Sequence, residues 1–131
     1  MTVQVTPRFK SKSTRRRLKA RDRRYGMSDA YVLLIKQLPS CISGQYPCDP
    51  HHLRVYEERG VGLKATDKWA IPLTRIEHDQ VHTVGAREEV AWFTAKGVNA
   101  YRLAELLWEA WESHGDRALP HMQQIIEERV E

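Results

Sequence analysis

Cysteine is nearly absent: Cys41 and Cys48 are the two in 131 residues. That is too few for a disulfide framework and fits a reducing compartment. Long apolar runs are missing too. No stretch approaches the roughly 18 residues that a membrane-crossing helix needs, so no span and no membrane partner are expected. Met1 to Lys10 lacks the apolar core of a secretory signal, which makes the cytoplasm the expected location. Internal repeats are also lacking. At this length the chain supports one compact domain.

Acidic residues are almost missing from one region. Residues 1–25 hold ten Lys or Arg, including Arg15, Arg16, Arg17, Lys19, Arg21, Arg23 and Arg24, against the single acid Asp22. That segment is +9 and the remainder −5, so the formal net charge of +4 is a sum over two unlike parts. Residues 1–26 also have no apolar stripe able to drive packing and read as a flexible arm. Such an arm either pairs with the phosphates of a polyanion, gaining affinity from counterion release, or serves as a solubility tail.

Residues 27–131 form the expected folded domain, α+β and mostly helical. Ser28 is a plausible N-cap for a helix over 29–38, carried by Val32, Leu34, Ile35 and Leu38 and stopped by Pro39. Cys41 to Leu53, broken by Gly44, Pro47 and Pro50, reads as a small hairpin or loop. A polar loop with Gly60 and Gly62 covers 57–66. Trp69 to Leu73 is a brief strand or buried turn. Helices are expected over 75–83, over 87–96 with Gly97 as a left-handed cap, after the N-cap Asn99, and from Pro120. The third of these carries Leu103, Leu106, Leu107 and Trp111, and the last carries Met122, Ile125 and Ile126. Trp69, Trp92, Phe93, Trp108 and Trp111 are read as packing residues.

Four of the six histidines fall in two pairs, His51-His52 and His78…His82. The i, i+4 spacing of the second projects both imidazoles from one helix face. Two ring nitrogens one turn apart can reach one metal ion, or they decorate a solvated face. In an extended segment His51 and His52 point to opposite sides. One can then turn to a metal while its neighbour faces a substrate, and a neutral imidazole suits a general base near neutral pH. His114 and His121 have no evident partner and are read as surface residues.

Taken together, Cys48-Asp49-Pro50-His51-His52-Leu53-Arg54, Gly62 to Asp67, Pro72-Leu73 and His78…His82 resemble the HNH endonucleases of the ββα-metal (His-Me finger) superfamily. The nearest likeness is to small phage and prophage HNH proteins of the recombination-enhancement type, over about residues 30–112. The resemblance implies a ββα-metal core at about 41–84 followed by a helical part at about 86–131. It implies His51, His78 and His82 as metal ligands and His52 as general base. Asp67 stands where the family usually has Asn, and either orients His52 or joins the metal shell. Arg54 is a candidate phosphate clamp or a plain surface arginine. Thr74 replaces a cysteine that often holds a structural zinc in relatives, so Cys41 and Cys48 are read as buried small side chains or as remnants or partial ligands of such a site. Glu77, where relatives often have histidine, is read as a solvated helix residue or a neighbour of the metal shell.

The implied activity is metal-dependent hydrolysis of DNA, leaving a 5′-phosphate and a 3′-hydroxyl, in phage or prophage DNA metabolism or recombination. One divalent ion is implied, and Mg²⁺, Mn²⁺, Zn²⁺ and Ni²⁺ are not distinguished by the residues. DNA is the implied partner, with the arm residues Arg15 to Arg24 and Arg54 as its contacts. Two alternatives stay open: a non-catalytic DNA-binding module with a structural zinc, and an accessory protein whose arm binds an acidic partner.

Overall fold

A computed structural model describes residues 28–54 and 67–130. The basic segment, with Arg15, Arg16, Arg17, Lys19, Arg21, Arg23 and Arg24, and the glycine loop at 57–66 lie outside the described residues. The described chain is a small α+β fold, mostly helical, with one two-stranded antiparallel sheet. Among the described residues, no helix is long and apolar enough to cross a membrane.

Helix α1 covers Asp29–Ile35 and starts as expected. The Ser28 hydroxyl accepts the Tyr31 N–H at 3.1 Å, a cap that stabilises by about 0.5–2 kcal/mol. It ends three residues before the expected stop at Leu38. Leu38 precedes Pro39, and pre-proline residues avoid helical backbone angles. The last turn therefore tightens, with Gln37 bonded to Leu34 and Leu38 to Ile35.

Strand β1 (Cys48–His52) pairs with β2 (Ala70–Thr74). Two prolines, Pro50 and Pro72, stand directly opposite each other, flanked by the pairs His51–Ile71 and His52–Ala70. Proline has no N–H to offer the ladder, so it is tolerated where the backbone faces outward. The Pro72 carbonyl accordingly turns away from β1 and accepts the Cys41 N–H at 3.2 Å. The ladder continues past His52, where the Leu53 N–H meets the Trp69 carbonyl at 3.1 Å.

Helix α2 (Arg75–Val81) follows β2 without a loop. Thr74 is its N-cap, and a reciprocal box forms: the Thr74 hydroxyl accepts from the Glu77 N–H, and the Glu77 carboxylate accepts from the Thr74 N–H. Glu77 also accepts the Ser40 hydroxyl at 2.6 Å, tying the turn after α1 to α2. Burial alone would raise its pKa, but bonds from Ser40, Ser43 and Thr74 outweigh that and hold it below the usual value. This corrects the reading of Glu77 as a solvated residue. Thr74 is likewise a helix cap, whatever relatives carry there.

Helix α3 covers Glu89–Ala95, preceded by a short 3-10 turn at Ala86–Glu88 where the sequence suggested continuous α-helix. It closes as expected: Gly97 has φ +80°, its N–H meets Thr94, and the Val98 N–H reaches back to Phe93. Helix α4 (Ala100–His114) is capped by Asn99, and α5 covers Leu119–Val130. Leu103, Leu107 and Met122 are fully buried, while Leu106, Trp111 and Ile125 are partly so. Trp108 is buried under the edge of the Tyr31 ring, 4.8 Å between centroids. Each such apolar side chain contributes about 1.5–3 kcal/mol by leaving water. The core thus lies between α1, β2, α4 and α5, and holds the hairpin and α2 against a firm base.

Candidate metal centre and its basic-residue surroundings

β1 separates the two neighbouring histidines. His51 is turned into the protein and 1% exposed, while His52 remains about one-third exposed on the other side. Where α2 leaves β2, its next turn brings His78 over the His51 ring. His82 is the C-cap of the helix, which ends at Val81 and not at the expected Thr83, yet the two histidines stay one turn apart. The centroids of His78 and His82 are 4.5 Å apart, and His51 meets both edge-on at 5.2 and 5.5 Å.

One ring nitrogen from each of His51, His78 and His82 lies within 4.8 Å of the others, a group able to hold one metal ion. Both nitrogens of His51 and Nδ1 of His78 are buried without a hydrogen-bond partner. A buried polar atom left in that state costs about 1–3 kcal/mol, and a cation bound among the three rings would satisfy several at once. Burial, first, and then the neighbouring His51, His82 and Arg75 lower the His78 pKa. Burial, then Arg54 and His51, lower that of His82. Both rings are therefore neutral at neutral pH, the form that ligates metals. Three imidazoles suit borderline ions such as Zn²⁺, Ni²⁺ or Mn²⁺ better than Mg²⁺.

On the opposite side of β1, His52 Nε2 lies 2.8 Å from Oδ1 of Asp67. Asp67 begins the 3-10 turn Asp67–Trp69 that leads into β2. Its second oxygen accepts the Ser28 N–H, also at 2.8 Å. An ionised carboxylate only accepts, so a neutral His52 in this pair has its proton on Nε2 and leaves Nδ1 bare. Of the two roles open to Asp67, the geometry is that of orienting His52: both oxygens are engaged, and it is not among the converging metal donors.

Arg54 departs from expectation. Its Nε is paired with the Glu89 carboxylate, and its terminal nitrogen donates to the carbonyls of Val81 and Val84 at 2.9 and 3.1 Å. The guanidinium thus satisfies the open carbonyl end of α2 and is not free to clamp a phosphate. Its remaining nitrogen lies 3.5 Å from Nδ1 of His82.

Glu89 is the residue that sequence reasoning missed. It is 1% exposed and accepts both the backbone N–H and the side chain of Arg54. Its Oε1 stands 3.3 Å from Nε2 of His51 without an aligned hydrogen bond. Burial alone would raise its pKa; His51 and Arg54 outweigh that and keep the carboxyl below its ordinary value. One signal in the sequence does point to it: Glu89 stands four residues before the buried Phe93, on the same helix face.

Cys41 and Cys48 are buried and form no disulfide. Burial, then Glu77 and Asp49, push the Cys48 thiol up to about 12, which keeps it a thiol and not a metal-binding thiolate. His114 and His121 are partners after all: their rings stack at 3.6 Å, 7° from parallel, across the turn joining α4 to α5.

Among known proteins, the family described as "Protein of unknown function (DUF968)" matches residues 5–114. Uncharacterized protein YdfU of Escherichia coli (strain K12) is 35% identical over 66 residues, covering 50% of this chain. The matched part is 19% of that relative's own length. No solved structure matches.

Proposed function

We propose that this chain, which belongs to the DUF968 family, is a metal-dependent endonuclease of the HNH, ββα-metal kind that hydrolyses phosphodiester bonds in DNA. The observation that carries this reading is the division of labour across β1. His51 converges with His78 and His82 on one side, and the His52–Asp67 pair stands on the other. A purely structural metal has no use for a second, exposed histidine held by a carboxylate beside a ligand. The order strand, strand, helix, with ligands from the first strand and the helix, supports the same reading.

His51, His78 and His82 would hold the divalent ion, which supplies Lewis-acid stabilisation of the charge developing on the phosphate and the leaving oxygen. His52, with Nε2–H donated to Asp67, presents Nδ1 to take a proton from the attacking water. Asp67 stabilises the imidazolium so formed and holds the ring in one orientation. Its other oxygen is fixed by the Ser28 N–H. The basic segment, residues 1–25, supplies affinity for phosphates, while Arg54 keeps the end of α2 in place.

The test is nicking of supercoiled plasmid by purified protein with Mn²⁺ or Mg²⁺. The expected result is metal-dependent nicking that His52→Ala abolishes while still binding metal. Equal cleavage by that variant would remove His52 as the base. No cleavage with any divalent ion, together with retarded DNA on a gel, would favour a DNA-binding module with a structural zinc. Failure to bind any polyanion at low salt would point to an acidic protein partner.

A further inference from the structure

We propose that Glu89 is a positioning residue of the metal centre, taking the Nε2–H of His51 so that Nδ1 of His51 is the atom left for the ion. The inference rests on reading the three imidazoles as a metal centre, and adds to it a fourth side chain from a different helix.

His51 and Glu89 are each 1% exposed, so bulk water does not solvate either. A carboxylate buried in this way needs donors on every side. Arg54 supplies two, its backbone N–H to Oε2 and its Nε to Oε1. The group next to Oε1, 3.3 Å away in ion-pair range but not aligned as a hydrogen bond, is Nε2 of His51. A neutral imidazole carries one proton, and the nitrogen facing an acceptor-only carboxylate is the one that must carry it. Nδ1 of His51 is then bare, buried and without a partner, in a ring that His78 and His82 approach edge-on. Phe93, one turn after Glu89 on α3, lies against the same ring at 5.9 Å and limits its rotation.

The carboxylate is not among the donors that converge on the candidate ion position, so it acts through His51 and not as a ligand. Carboxylates behind ligating histidines raise the basicity of the ring and fix its tautomer, and their loss typically costs 10–100-fold in metal affinity. Here the same carboxylate reaches further. Through Arg54 it is linked to the Val81 and Val84 carbonyls at the end of α2 and to the neighbourhood of His82. One side chain of α3 thus holds a ligand on β1 directly and steadies the helix that carries the other two.

Two measurements on the full chain test this. The first is the affinity for Co²⁺ or Zn²⁺, by competition with a chromophoric chelator, in wild type, Glu89→Gln and Glu89→Asp. Glu89→Gln is expected to bind about 10–100-fold more weakly, with Glu89→Asp recovering part of the loss because it restores the charge. The second is long-range ¹H–¹⁵N NMR of the zinc-loaded wild type, expected to place the His51 proton on Nε2 and the metal-bound shift on Nδ1. The opposite assignment, or unchanged affinity in a folded Glu89→Gln, overturns the role given to Glu89. If Glu89→Gln does not fold, the wild-type spectrum alone decides. Absence of metal binding by the wild type would instead overturn the metal centre itself, so the two failures are distinguishable.

Discussion

Replacing Asp67 by Asn probes the dyad on the exposed side of β1 in a way that the structure makes quantitative. Both Asp67 oxygens accept, one from His52 Nε2 and one from the Ser28 N–H, each at 2.8 Å. Asparagine has one acceptor oxygen and one donor NH₂. Whichever way its amide turns, either His52 or Ser28 faces a donor where it needs an acceptor. A hydrogen bond to a charged group contributes about 1.5–3 kcal/mol, and each 1.36 kcal/mol is about tenfold in rate. The turnover number of plasmid nicking should therefore fall about 10–150-fold. Metal affinity should not change, because Asp67 lies outside the imidazole group. If the amide instead keeps its oxygen on His52, it is the Ser28 bond that is lost, and the melting temperature should fall by about 4 °C for each kcal/mol. Steady-state nicking rates, chelator competition and thermal melts on one preparation read all three. A large loss of metal affinity would refute the positioning role and make Asp67 a ligand, while an unchanged rate together with an unchanged melting temperature would mean that neither bond matters.

Two further outcomes follow from the surroundings of α2. Glu77→Ala removes the capping box and the Ser40 tether together; urea denaturation should show a loss of about 1–3 kcal/mol, and a change near zero would mean that the box contributes nothing. The metal-free protein should lose stability as pH falls below 6.5. His78 and His82 have native pKa values below their ordinary 6.5, so in that window the unfolded chain binds more protons and acid favours it. Melting temperatures at pH 7.5 and 5.5 check this, and a His78→Gln, His82→Gln variant should have a flatter profile; a flat wild-type profile would contradict the assignment.

Local signals were legible wherever the chemistry acts within a few residues. Ser28 and Asn99 cap helices because each has a short oxygen-bearing side chain in extended backbone. Gly97 closes α3 because only glycine enters φ +80° without strain. The His78…His82 pair was legible for the same reason, one turn of helix being a fixed distance. Partners distant in sequence were not. Arg54 and Glu89 are 35 positions apart, so nothing near Arg54 announces that its guanidinium is already engaged. Nor does anything near Glu89, apart from Phe93 one turn later, mark it as buried. Ser40 and Glu77, 37 positions apart, fail in the same way. The stacked pair His114 and His121 needs the turn at Gly115–Arg117 to fold back α5, and that geometry is tertiary. Helix ends moved by two or three residues, at α1 because of Pro39 and at α2 because its last carbonyls are taken by Arg54 and by i→i−3 bonds.

In the proposed reaction one ion at His51, His78 and His82 drives phosphodiester hydrolysis. This is tested most directly by measuring bound Mn²⁺ per chain and the plasmid-nicking rate in the same titration. The rate should rise in proportion to occupancy of one site and stop rising at one ion per chain. Saturation of that site with no cleavage, or cleavage that does not follow its occupancy, would contradict it.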